Sequence, residues 1–515
     1  MNEAVRAMHF PPTEVEISIE DLNAAKTPYH QRLIFDEFFK FEYLILKKKL
    51  SQAKEKGPQF EVQQLKKDVL DLSFDLPFEL TGDQKTVLSD ILADFSSAHP
   101  MNRLVQGDVG SGKTAVALLA AGAVMAQGSQ AVLMAPTEIL AEQHFKNMIK
   151  IFAGKLSAVL LTGRTTASER RKILGRLQTG QPLLVIGTHA VIEDPVKFVR
   201  LDLVMIDEQH RFGVDQRKAL WQKGVQGDVH PHQLVLTATP IPRTLALTVY
   251  GDLSVSAIKE MPPGRTPIRS KVVRSAAARE EMVDHIRKEL QSGRQAYFIY
   301  PLVNESEAEG FTNLRSAVIE SERLQNEVFP DFKVGLLHGQ LSSDEKSKAM
   351  DSFKRGELHI LVSTTVVEVG VDVPNSTIMV VDHAERFGLS QLHQLRGRVG
   401  RGSHQSYCYF LSRAQTTEVS EKRLSILEDT EDGFRIAEAD LEIRGPGEFM
   451  GTRQSGDLPF KMANLVRDQK WLFLARDEAI RVLKEDPGLR KAEHQGLRSY
   501  LRREGARQVE ILRTS

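Results

Sequence analysis

The sequence predicts an α/β protein made of two parallel-sheet domains, with a helical N-terminal extension and a C-terminal helical hairpin. Three observations predict it. Short apolar runs alternate with helical stretches between residues 103 and 239, the pattern of βαβ units on a parallel sheet. A second alternating series runs from 295 to 410. Between the two, Met261-Pro-Pro-Gly-Arg-Thr-Pro267 breaks the pattern and reads as a linker. A chain of 515 residues holds roughly two to four domains.

Residues 1–75 are the helical extension. From 31 to 56 a wide apolar face (Leu33, Ile34, Phe35, Phe38, Phe39, Phe41, Leu44, Leu46, Leu50) predicts one long helix. It is expected to pack against the neighbouring segment on its C-terminal side. The first sheet domain, 76–265, has expected strands at 103–106, 131–135, 158–162, 183–187, 203–206 and 234–237. The second, 266–430, has them near 295–300, 334–337, 359–363, 377–381 and 406–410. Residues 431–515 form the last segment, with Arg444-Gly445-Pro446-Gly447 and an Arg-bearing tail.

Composition bounds the function classes. The chain is 41% apolar and 26% charged, as ordinary globular proteins are. The single cysteine, Cys408, excludes an internal disulfide and a Cys-rich zinc site, and suits a reducing compartment. The longest apolar run, 115–126, is too short to span a bilayer. The first residues lack a basic-then-apolar leader, so the expected location is the cytoplasm, with no membrane contact. The formal net charge is zero. Any nucleic-acid contact must therefore use local basic surface.

Two motifs carry the chemistry. Residues 107–114, Gly-Asp-Val-Gly-Ser-Gly-Lys-Thr, fit G-x-x-x-x-G-K-[ST] between an expected strand and an expected helix. Gly107, Asp108, Gly110, Ser111 and Gly112 would wrap backbone N–H groups around phosphate oxygens at the helix N-terminus. Lys113 would reach the β- and γ-phosphates, and Thr114 would hold Mg²⁺. Residues 203–208, Leu-Val-Met-Ile-Asp-Glu, read as a buried strand ending in two carboxylates, where open α/β sheets bind ligands. Asp207 would join the Mg²⁺ shell, and Glu208 would orient the attacking water and take its proton. Alone, that ending reads equally well as an acidic helix cap. Lys113 and Thr114 decide between the two.

Other motifs carry double readings. Gln84 could read the adenine edge of ATP, yet Thr81-x-x-Gln84 is also a capping box. Thr237 and Thr239 end a strand before Pro240, and their hydroxyls could relay the state of the phosphate site. Residues 394–402, Gln-Leu-Arg-Gly-Arg-Val-Gly-Arg-Gly, place three arginines in a glycine-punctuated loop that resists a packing explanation. Arginine binds phosphate in a fork and stays charged. Arg398 and Arg401 would therefore reach across a cleft, because only the first series has a phosphate loop. His144, His189, His210 and His338 stand alone, at no metal-ligand spacing, and read as satisfied or exposed histidines.

In this order the motifs resemble the second helicase superfamily, across residues 76–430. They are 78–84, 107–114, Ala135-Pro136-Thr137, Gly187-Thr188-His189, 207–210, Thr237-Ala238-Thr239, Val369-Gly370-Val371-Asp372 and 394–401. Residues 207–213 (Asp-Glu-Gln-His-Arg-Phe-Gly), 239–245 (Thr-Pro-Ile-Pro-Arg-Thr-Leu) and 261–265 (Met-Pro-Pro-Gly-Arg) resemble the RecG family more closely. The stretch 432–456 is similar to that family's translocation motif.

The resemblance implies two RecA-like domains, ATP and Mg²⁺ as cofactors, and a monomer that translocates on double-stranded DNA. The DNA would be branched, as at replication forks and Holliday junctions, in recombination and repair. It also implies that Arg444 and Gln454 couple cleft movement to sliding. The family's wedge domain is expected to be missing, since Met8-His9-Phe10-Pro11-Pro12 resembles the segment after it. Two rival readings stand beside this one: a single-strand-tracking helicase, and a DNA-binding fragment dependent on a partner protein that supplies strand separation.

Overall fold

The structure is a computed structural model that describes residues 2–10, 18–52, 55–152, 154–242, 253–301, 317–364, 373–402, 404–412, 417–449, 460–501 and 503. Its contacts form two units. The larger comprises Gly57–Pro240 and Ser256–Asp440, and the smaller gathers Met1–Lys56, Ile241–Val255 and Leu441–Ser515.

The first sheet has seven strands: β1 (Asn102–Gly107), β2 (Gln130–Met134), β3 (Ala158–Leu161), β4 (Leu183–Gly187), β5 (Leu201–Asp207), β6 (His232–Thr237) and β7 (Ser254–Ile258). Their order is β3-β4-β2-β5-β6-β1-β7. Every residue of β2, β4 and β5 is buried, as a parallel sheet covered on both faces requires. One cover is the helix Lys113–Ala126, whose alanines and leucines pack beneath the central strands. The topology places β5, β6 and β1 side by side and in parallel. Asp207 pairs with Leu236, and Gln106 with Thr237. The ends of the phosphate-loop strand, the acidic strand and the Thr237 strand thus meet at one edge.

The second sheet has six strands: β8 (Ile268–Val273), β9 (Gln295–Tyr300), β10 (Val334–Leu337), β11 (Ile360–Thr364), β12 (Ser376–Val381) and β13 (Ser406–Leu411). Their order is β10-β11-β9-β12-β13-β8, with parallel pairing throughout. Two strands escaped the sequence reading, β7 and β8. Each is an edge strand with exposed or half-exposed polar positions, so neither shows the continuous apolar run of a buried parallel strand.

The long expected helix is Pro28–Gln52. Its partner differs from the expectation. The segment Val62–Ser73 packs against the helix Lys113–Ala126, but Pro28–Gln52 packs against Gln469–Glu485 near the other end of the chain. The reason is complementary chemistry. Phe38 and Phe41 meet the ring of Phe460 edge-on at 5.1 and 5.0 Å. Tyr43 joins Ala479, Val482 and Leu483 in one cluster. Arg476 Nη1 donates to the buried Glu42 carboxylate at 2.7 Å. Among the described residues no helix is long and apolar enough to cross a membrane.

Glu42 makes this unit sensitive to pH. Burial pushes its carboxyl from 4.5 up to about 7, against the pull of the Arg476 guanidinium. A raised folded pKa means the folded state holds the proton more tightly. The resulting stability is complete below about 4.5 and is lost as pH rises through about 7. Urea denaturation followed at both pH values should show this decline in the wild type, and Glu42→Gln should flatten it.

Candidate nucleotide site between two parallel sheets

The loop from β1 to the helix Lys113–Ala126 turns through two left-handed residues, Gly110 at φ 85° and Gly112 at φ 86°. Other residues would be strained there. A Cβ on Gly110 would also lie 2.7 Å from Arg265 Nη1, and one on Gly112 would run into the Gln84 amide.

Three segments hold this loop. Gln84 forms the capping box, its Oε1 accepting from Thr81 N at 2.9 Å. The same side chain donates from Nε2 to Ser111 O at 2.8 Å, so the cap also braces the loop. Arg265, in the linker, donates from Nη1 to Val109 O at 2.6 Å. The Asp108 carboxylate meets the second domain: His393 Nε2 lies 2.9 Å from Oδ1, and Gly433 N donates to Oδ2 at 3.1 Å.

Lys113 is buried, and its ammonium donates to Gly107 O at 2.6 Å and Asp108 O at 2.8 Å. Burial lowers its pKa, while the carboxylates of Glu208, Asp207 and Asp108 pull it back. The acidic pair splits. Burial works against charge on Asp207, but the hydrogen bond from His144 Nε2 at 2.8 Å and the His144 and Lys113 charges keep it below the usual carboxylate range. Burial, with the Asp207 charge beside it, pushes Glu208 up to about 7. Glu208 adopts a left-handed backbone, φ 50° and ψ 58°, rare for a residue with a Cβ. Its carboxylate accepts from Ala238 N at 3.3 Å, and Thr237 and Thr239 share a 2.8 Å hydroxyl contact beside it.

The second sheet contributes arginines. Burial, then the Arg401 charge, depresses the Arg398 guanidinium to about 10, and the Glu208 and Asp207 carboxylates oppose that depression. Arg401 donates from Nε to Gly397 O at 3.3 Å, and its charge reaches Lys113 and Arg265.

One expectation is corrected. Not all three arginines of 394–402 resist a packing explanation. Arg396 is 1% exposed and donates from Nη1 to Leu427 O at 3.0 Å and Thr430 O at 2.9 Å. It lies inside the helix Leu389–Arg396, one turn beyond His393, rather than in the loop. His144 is satisfied, as expected, but by Asp207 itself. Sequence reasoning gave no role to His393, Arg265 or the Asp108 side chain. The available signals were a histidine directly before Gln394 and an arginine in the linker.

Gln454, residues 369–372 and residues 243–245 lie outside the described residues. Arg444 falls in the helix Gly433–Phe449, its side chain likewise outside them.

The residues present fit a Mg²⁺-nucleotide. Ser111 Oγ is buried in the loop with no hydrogen-bond partner among the described residues. Left-handed glycines and a buried ammonium surround it. Asp207 and Thr114 supply the hard oxygen donors that Mg²⁺ prefers.

A phosphate loop on one parallel sheet, an acidic pair two strands away and arginines from a second parallel sheet define a two-domain P-loop protein of the helicase class. Residues 81–248 match the DEAD/DEAH box helicase family, and 280–403 the helicase conserved C-terminal domain. Residues 430–511 match the C-terminal part of domain 3 of ATP-dependent DNA helicase RecG. The chain is 48% identical to ATP-dependent DNA helicase RecG of Synechocystis sp. over 95% of its length and 57% of that protein's. It is 45% identical to the Bacillus subtilis protein of that name, over 99% of this chain and 72% of that one. A solved structure of RecG bound to a three-way DNA junction matches at TM-score 0.70 and 42% identity, covering 87% of this chain and 58% of that one. The chain belongs to the RecG family. It spans less than two thirds of the Synechocystis relative and of that solved chain.

Arg396→Met should leave the carbonyls of Leu427 and Thr430 without their buried donor. The expected loss is roughly 2–5 kcal/mol of stability, read as a lower urea midpoint. A midpoint unchanged from wild type would remove Arg396 from the structural frame.

Proposed function

We propose that this protein is an ATP-driven translocase on double-stranded DNA that acts at branch points, in recombination and repair. The observation that carries the reading is the charge arrangement at the cleft. Arg398 and Arg401 of the second sheet share one electrostatic neighbourhood with Lys113, Asp207 and Glu208 of the first. Such a site works only when both domains close on the same triphosphate.

On this reading residues 76–265 and 266–430 are the motor domains, 1–75 their helical extension and 431–515 the coupling segment. The backbone around Gly107, Gly110 and Gly112 cradles the phosphates, with Lys113 on the β- and γ-oxygens and Gln84 bracing the loop. Thr114 and Asp207 hold Mg²⁺, which when bound neutralises charge on the phosphate oxygens. Glu208, held near neutrality, orients a water and takes its proton as that oxygen attacks the γ-phosphorus. The bond to the β–γ bridging oxygen breaks, giving ADP and phosphate. Arg398 and Arg401 balance the charge that develops. Thr237 and Thr239, beside Glu208, pass the state of the site onward, and Arg444 and Gln454 turn closure into movement along the duplex.

The DNA class rests on kinship. The matching RecG structure is bound to a three-way junction, and residues 430–511 match a RecG domain. That match favours duplex tracking over single-strand tracking.

Lys113→Ala should abolish hydrolysis; a near-wild-type rate would remove the site assignment. Arg401→Ala should keep nucleotide binding within a few-fold while hydrolysis falls roughly 10³–10⁵-fold, and an unchanged rate would remove the arginine's role. Hydrolysis should rise more with forked and linear duplex than with single strands. Equal stimulation by both would favour the single-strand rival.

A further inference from the structure

A carboxylate in a phosphate loop is electrostatically out of place, because it repels the anion the loop is shaped to hold. Asp108 resolves this by turning its charge to the second domain. His393 and Asp108 side chains are 9% and 13% exposed, and their contact is 2.9 Å. The proton positions along it are set by donor chemistry. Arg396 has no acceptor, so its Nη2, 2.9 Å from His393 Nδ1, donates there. His393 Nδ1 is then the acceptor, and Nε2 carries the hydrogen that reaches Asp108 Oδ1. Arg396 itself is fixed by Leu427 O and Thr430 O.

The other carboxylate oxygen accepts from Gly433 N. A Cβ at Gly433 would overlap Asp108 Oδ1 and lie 2.6 Å from His393 Nε2, so the three groups close on one another without spare room. Burial opposes the charge on Asp108, yet the His393 and Gly433 bonds hold its carboxyl below the usual range.

We propose that Asp108 and His393 are positioning residues: with Arg396 they form a hydrogen-bonded relay that ties the phosphate loop to the arginine loop and to the first residue of the helix Gly433–Phe449. His393 and Arg396 lie on the helix Leu389–Arg396, which leads directly into Arg398 and Arg401. The relay therefore sets where those arginines stand relative to the loop. It also gives the helix that bears Arg444 a direct bond to the phosphate loop. The carboxylate acts through His393 and touches no reacting atom. This proposal rests on the ATP-hydrolysis reading above.

The test is a double-mutant cycle on the full chain: wild type, Asp108→Asn, His393→Ala and the pair. The readouts are kcat and KM for DNA-stimulated ATP hydrolysis, with thermal melts as a folding control. Each single variant should lower kcat roughly 10–100-fold, as loss of a charge-assisted hydrogen bond allows. The pair should be no slower than the slower single. His393→Gln, whose amide can still donate to Asp108, should recover most of the rate. If His393→Ala fails to fold, the cycle is run with His393→Gln, and Asp108→Asn should then add nothing to a folded His393→Gln background. Multiplicative losses in the pair, effects confined to KM, or wild-type kcat in both singles would each overturn the relay. Wild-type hydrolysis and its loss in Lys113→Ala are measured first. If either is absent the ATP reading fails; if both hold and the cycle is additive, only the relay fails.

Discussion

The structure depends on holding one short loop in a conformation it would not choose. Residues 107–113 pass through two left-handed glycines and bury an ammonium among backbone carbonyls. Neither is stable in isolation: the loop loses backbone freedom, and the lysine loses its water. The compensation comes from three distant segments. Gln84 braces the loop from the preceding helix, Arg265 from the linker and His393 with Gly433 from the second domain. Because the braces belong to different segments, any relative movement of the domains must be felt at the loop.

The same constraint governs the buried charges. Lys113, Asp207, Glu208 and Arg398 all lie where desolvation penalises ionisation. Their environments push them apart in usefulness. His144 keeps Asp207 anionic and so suited to a cation. Glu208 carries no such partner in its shift, and Asp207 beside it raises its proton affinity toward neutrality. Two adjacent carboxylates thus acquire different chemistry from one histidine on a neighbouring helix. Separated proton affinities of this kind mark an acid–base assignment.

Much of this was legible in the sequence, for reasons that also explain the gaps. Strands such as 183–187 stood out because a doubly covered parallel strand is apolar at every position. The phosphate loop stood out because left-handed turns leave glycines at fixed spacing. β7 and β8 did not, because edge strands keep polar residues on the uncovered side. The braces were invisible for another reason. Asp108 and His393 are separated by 285 positions, and no local pattern records which carboxylate meets which imidazole. Arg396 misled because a buried arginine and a phosphate-binding arginine look alike in a glycine-rich stretch. Only the carbonyls it reaches separate them.

The smaller unit shows how far such pairing extends. The Glu37 carboxylate accepts from the backbone N–H groups of Lys461, Met462 and Ala463, at 2.9 to 3.1 Å. Phe460, just before them, sits against Phe38 and Phe41 on the same helix. Bringing together groups more than 400 positions apart costs chain entropy, though that cost grows only logarithmically with separation. One carboxylate satisfying three successive amides and one ring meeting two others can offset it. A segment read as a lone extension at the N-terminal end is therefore half of a helical pair. Its aromatic face, which looked too wide for an ordinary surface helix, is that wide because the other end of the chain packs on it.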